Sequence, residues 1–349
     1  MNKPAANSKL DILRIVSALA VVLLHVSSDY IDLYPAGSTN FNIAVFLNSL
    51  TRFAVPVFVM ISGELFLDRK KDISLKKIWM HNILRLFIIY LVWSFGYYVF
   101  QSIYFWKFDF YRQGIVRTVT GIVYATNHLW FIGMIIGLYA LTPILKSWLK
   151  NADEKNVRYF LTIFFVFQIL RTTFTLLINK SLTDEISKFL TFTEVSGYLG
   201  YYVLGFYLSE YKVKKSFKTA VYVFFPIGIL LNFLISVLMS KEQGSYTPGI
   251  YDSFGVFTFI NCIAVYLLVA DLCAKQKERA KIPANIAADT LGIYLSHIML
   301  WEIAKNELGT DFLPLPVLNM IAATAAIFVI TLLISAGLRR IPFIGRYLA

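Results

Sequence analysis

Ile12-Leu13-Arg14-Ile15-Val16-Ser17-Ala18-Leu19-Ala20-Val21-Val22-Leu23-Leu24-His25-Val26-Ser27-Ser28-Asp29-Tyr30 is apolar for the length of a bilayer crossing, yet it carries an arginine, a histidine and an aspartate. A spanning helix needs about 20 mostly apolar residues. Similar windows follow at 43–67, 79–100, 127–146, 158–178, 195–210 (short and Gly-rich), 219–239, 251–272, 286–304 and 315–338. The predicted fold is all-α, a polytopic integral membrane bundle of about ten transmembrane helices. It forms a single membrane domain over 1–349 with no appended soluble domain expected. Composition agrees: 58% of the 349 residues are hydrophobic and 15% charged, where a soluble domain carries about 25% charged residues. Cys262 and Cys273 fall on one span and cannot bridge each other, so no disulfide framework is expected.

The net charge of +12 would suggest nucleic acid in a soluble chain, but the cations follow the membrane. Of the 33 Lys and Arg, 22 fall in alternate breaks that begin with the N-terminus and end with the tail from Arg339. Seven fall in the other breaks: Lys107, Arg112, Arg117, Lys180, Lys188, Lys241 and Lys305. Short cytoplasmic loops are rich in Lys and Arg, so both termini are expected in the cytoplasm. Trp79, Trp106, Trp130, Trp148 and Trp301 sit near the predicted interfaces, as an aromatic belt requires. Lys3, Lys9 and Arg14 before Ala18-Leu19-Ala20 resemble a signal peptide, but the apolar run continues past that point and an uncleaved first helix is expected.

The four remaining cations, Arg14, Arg52, Arg85 and Arg171, lie inside predicted spans, where ionisable groups are costly and mark function. Arg14 and His25 are 11 residues apart, which at 3.6 per turn ends about 20° past three turns and about 16 Å along the axis. One helix face therefore carries both, with Asp29 a turn beyond His25. Arg52 lies nine residues into the second span, before Pro56, which should kink it. In the third span His81 and Arg85 are one turn apart and, with Arg14, could form a cationic mouth for a phosphorylated ligand. His128 beside Trp130 reads as belt chemistry when taken alone. His25, Asp29, Arg52, Arg171 and His297 are all predicted at similar depth toward the outside. The histidines lack the i, i+4 pairing of familiar zinc motifs, so no metal is expected.

Five of these elements, in order along nearly the whole chain, resemble the acyltransferase family 3 of bacterial membrane proteins. They are Arg14 through ten residues to His25, Arg52-Phe53-Ala54-Val55-Pro56 through Ser62-Gly63, Leu84-Arg85-Leu86, His128-Leu129-Trp130-Phe131-Ile132-Gly133 with Tyr139 and Pro143, and Leu291-Gly292-Ile293-Tyr294-Leu295-Ser296-His297. The chain departs from the family at Glu64, where an aromatic residue is frequent, and at His81-Asn82, where a second Arg is frequent.

The resemblance implies a membrane O-acyltransferase of the bacterial plasma membrane. Its implied donor is cytoplasmic acyl-CoA, commonly acetyl-CoA, and its acceptor a hydroxyl of a cell-surface or lipid-linked carbohydrate. It then assigns Arg14, Arg85 and His81 to the donor phosphates and His25 to the role of general base or transient acyl carrier. Asp29 would orient His25 and Arg52 would stabilise the oxyanion, while His128, Trp130, Arg171 and His297 would line the acceptor site. The rival reading is a transporter or flippase of an anionic or lipid-linked sugar. Its usual sign, a matched pair of broken helices, is not evident, since Pro56 has no clear counterpart in the second half.

Overall fold

The structure, a computed structural model, describes residues 8–104, 127–177, 193–247, 253–275, 284–342 and 345. The outward cations Lys107, Arg112, Arg117, Lys180 and Lys188, and Trp106, lie outside the described residues.

In chain order the helices are α1 (Ser8–Leu33), α2 (Thr39–Thr51), α3 (Ala54–Phe66) and α4 (Leu75–Tyr104). Next come α5 (Trp130–Asn151), α6 (Glu154–Thr175), α7 (Thr193–Glu210) and α8 (Lys215–Gln243). The last three are α9 (Val256–Lys275), α10 (Thr290–Leu308) and α11 (Pro316–Arg339). Among the described residues eight segments are long and apolar enough to cross a membrane: α1, the joined α2–α3, α4, α5, α6, α8, α9 and α11. Helices α7 and α10 occupy the sixth and ninth predicted spans. Large apolar side chains such as Phe95, Ile144, Leu238 and Leu333 face outward, as the lipid-contacting surface of a bundle does.

The second span breaks at Arg52–Phe53. Pro56 has no N–H to give the Arg52 carbonyl, so the ladder is interrupted one turn before the proline and resumes with Val57 N–H donating to the Phe53 carbonyl at 3.0 Å. The short, Gly-rich helix α7 is among the most enclosed: Tyr201, Tyr202, Val203 and Phe206 are fully buried. Its glycines explain how it fits there. A Cβ on Gly205 would stand 2.0 Å from the Met60 carbonyl oxygen, and one on Gly63 of α3 would stand 1.8 Å from that of Tyr202. The two backbones touch because neither helix has a side chain at the crossing.

A turn of π-helix opens α4 at Ile78–Ile83, and another interrupts α6 at Phe165–Leu170. Such a turn carries one residue more than an α-turn and shifts the face presented by the residues that follow.

Candidate active site

Helix α1 supplies the axis of the site. Near its start Arg14 Nη1 lies 3.3 Å from Asp11, and the Arg14 side chain forms part of the wall of a cavity of about 150 Å³. The cavity runs between α1, α3, α4, α5 and α10, lined by Phe58, Ile61, Ser62, Leu86, Phe131, Ile135, Leu291 and Tyr294. Apart from Arg14 and the Ser62, Thr290 and Tyr294 hydroxyls the wall is apolar. At its basic end the Tyr139 hydroxyl bonds Ser62 and lies in the field of both Arg14 and Arg85. Arg14 and Arg85 thus both act on one hydroxyl. His81 is not with them. It is exposed near the start of α4 while Arg85, one turn further on, is half-buried.

At the far end of the cavity stands the Tyr294 ring, its hydroxyl donating to the His128 carbonyl oxygen. Beyond it three imidazoles from three helical segments gather. Ring centroids are 5.1 Å apart for His25 and His297, 5.6 Å for His128 and His297, and 6.4 Å for His25 and His128. The Tyr97 ring meets His128 edge-on at 5.0 Å. His128, Tyr294 and His297 are buried; His25 alone of the three histidines is partly accessible.

Main-chain carbonyls of α10 hold two of the rings. His297 Nδ1 lies 2.7 Å from the Tyr294 carbonyl and 3.2 Å from that of Ile293. His128 bonds the Leu295 carbonyl, and because its Nε2 has no partner the engaged nitrogen is Nδ1. A carbonyl only accepts, so both rings carry the proton on Nδ1 and present Nε2 as an acceptor. Tyr97 reinforces this corner, donating to the Leu295 carbonyl at 2.9 Å and accepting from Met299 N–H at 3.2 Å. Among the described residues no group of three or more His, Cys, Asp or Glu is placed to hold a metal ion.

Arg52 closes the site from the kink between α2 and α3, its charge acting on His25. Its Nε donates to Asn48 Oδ1 at 2.8 Å and its Nη2 to the same oxygen, and its charge acts on Tyr246 in the loop after α8. Asn48 is fully buried and its Nδ2 donates to the Leu24 carbonyl and to Ser27 Oγ, each at 3.0 Å, beside His25 on α1.

Asp29 is placed differently from expectation: its carboxylate accepts from Trp301 Nε1 at 2.8 Å and pairs with Lys305 at 2.7 Å. Trp130 is exposed against Tyr198, with centroids 5.5 Å apart. Arg171 stands after the π-turn of α6, where the neighbouring Thr173 accepts from Val256 N–H at the start of α9. Neither is drawn into the imidazole cluster by any contact described. Asn48 and Tyr97 escaped sequence reasoning. For Asn48 a signal existed in its i, i+4 spacing to Arg52; Tyr97 had none, being one aromatic among many.

The family model for the acyltransferase domain of family 3 matches residues 7–340. The chain belongs to that acyltransferase family. No curated protein and no solved structure matches it. A neutral imidazole with an unprotonated ring nitrogen has the chemistry of a general base, and a guanidinium beside it that of an anion-stabilising group.

Proposed function

We propose that this acyltransferase moves an acetyl group from cytoplasmic acetyl-CoA to a hydroxyl of a cell-surface or lipid-linked carbohydrate, in the bacterial plasma membrane. Support comes above all from the cavity lined by Arg14 and by Tyr294, whose ring lies 5.7 Å from that of His128 and 6.1 Å from that of His297. Arg14 and Arg85 bind the donor phosphates, and the acyl-bearing arm lies along the apolar wall. The distance suits it: 11 residues of helix separate Arg14 from His25, about 16 Å, the order of an extended pantetheine arm.

His25, the accessible ring, is the general base. It takes the proton of the acceptor hydroxyl as that oxygen attacks the thioester carbon. The carbonyl oxygen gains negative charge in the tetrahedral intermediate, which Arg52 stabilises from its seat on Asn48. When the intermediate collapses the carbon–sulfur bond breaks, and His25 returns the proton to the departing thiolate. His128 borders the reacting hydroxyl on the acceptor side.

Mass spectrometry of surface glycans tests the reading. Deleting the gene removes one acyl mass from a glycan, and His25→Ala, present in membranes at wild-type abundance, fails to restore it. Unchanged glycans in the deletion strain would overturn the proposal in favour of a transporter.

A further inference from the structure

His297 is 1% exposed, and its Nε2 is buried with no hydrogen-bond partner. The Tyr294 and Ile293 carbonyls at 2.7 and 3.2 Å fix the proton on Nδ1, so this orphan is an acceptor and needs a donor. His25 is the neighbour that can be one. Its ring lies 5.1 Å from that of His297, tilted by 48°. Two imidazoles joined by an N–H···N bond of about 2.9 Å have centroids about 5.2 Å apart. The separation of a bonded pair is therefore already present, and a turn of the His25 ring about its Cβ–Cγ bond aligns it. His128 has the same tethering but stands at 6.4 Å from His25, too far for such a bond.

Which ring nitrogen of a histidine is left free to take a proton is set by the hydrogen bond that the other one makes. Asp29, one turn away on α1, is engaged by Trp301 and Lys305, and Arg52 has no acceptor to offer.

We propose that His297 is the positioning residue of His25. Its Nε2 accepts the His25 ring N–H, which leaves the opposite His25 nitrogen unprotonated toward the acceptor hydroxyl. The bond persists when His25 takes the hydroxyl proton, and that proton goes on to the thiolate; His297 stays neutral throughout. The inference rests on His25 being the base, as proposed above.

The test uses inverted membrane vesicles carrying the full chain and radiolabelled acetyl-CoA, with label entering glycan measured against donor concentration. His297→Ala lowers the maximal rate roughly 100-fold with the donor KM within about twofold of wild type. His297→Gln, whose side-chain oxygen reaches the place of Nε2, recovers at least about tenfold of that loss. A rate for His297→Ala above half of wild type at equal abundance would overturn the inference, as would a Gln variant no better than Ala. His25→Ala separates the two levels. If it keeps its rate, the base assignment falls and this inference with it; if it is inactive while His297→Ala is normal, the positioning role alone is lost.

Discussion

Asn48 joins the arginine to the helix that bears His25, and the join depends on one amide. Replacing it with leucine removes the oxygen that seats Arg52 Nε and Nη2 and the amide that ties this seat to Leu24 and Ser27 of α1. Asn48→Leu should therefore lower kcat at least about tenfold with little change in donor KM, read from the same vesicle kinetics. Tyr294→Phe removes only the hydroxyl bond to the His128 carbonyl, so thermal unfolding in detergent should show a loss of about 0.5–1.5 kcal/mol. Arg14 and His25 were legible beforehand because helical period alone puts them on one stripe. The convergence of His128 and His297 on His25 was not, since no local pattern couples residues 25, 128 and 297. Asp29 misled for the same reason: its partners Trp301 and Lys305 lie far along the chain, and a neighbour one turn away looked sufficient.

Among elements, α3 and α7 show how small residues decide packing inside a membrane bundle. Gly205→Ala puts a methyl 2.0 Å from the Met60 carbonyl oxygen, which only a shift of one backbone relieves. Overpacking of this kind costs about 1–3 kcal/mol or more, so the variant should unfold at lower temperature in detergent, whereas Gly133→Ala, with open space at its Cβ, should not. The loop between α3 and α4 carries a pH dependence. Burial raises the Asp68 carboxyl, but the Lys70 backbone N–H and the Lys71 and Lys146 ammonium groups outweigh it and hold it below its usual value. A depressed acid stabilises above the unfolded carboxylate value of about 3.9 and loses that contribution as pH falls through the lower folded one. Amide exchange across 67–74, corrected for intrinsic rate, should accelerate below about pH 4 in the wild type, and Asp68→Asn should be fast already at neutral pH. At this scale the sequence was readable where apolarity runs on and unreadable where the ladder changes. Pro56 announced a kink, whereas nothing in Ile78-Trp79-Met80-His81-Asn82-Ile83 announces the π-turn.

For the whole molecule, the distribution of cations remains the main statement about orientation, and it is directly testable. In a Cys273→Ser background, Asp72→Cys should react with a membrane-impermeant maleimide only after the membrane is opened. Glu242→Cys should react in intact cells; the reverse pattern would invert the bundle. Arg85→Ala should raise the donor KM about tenfold while leaving kcat within a few-fold, the mark of a group that binds donor and transition state alike. Chain-wide class was legible because bilayer thickness sets helix length. The acceptor was not, because choice of acceptor depends on the shape of a cavity and loops that pattern reasoning does not fold.

Two of the three imidazoles owe their tautomers to peptide carbonyls of α10 and not to side chains. No codon change can delete a peptide carbonyl. The side chains around the cluster can therefore drift while the tautomers of His128 and His297 are inherited intact: a division between what is free to evolve and what the main chain itself safeguards.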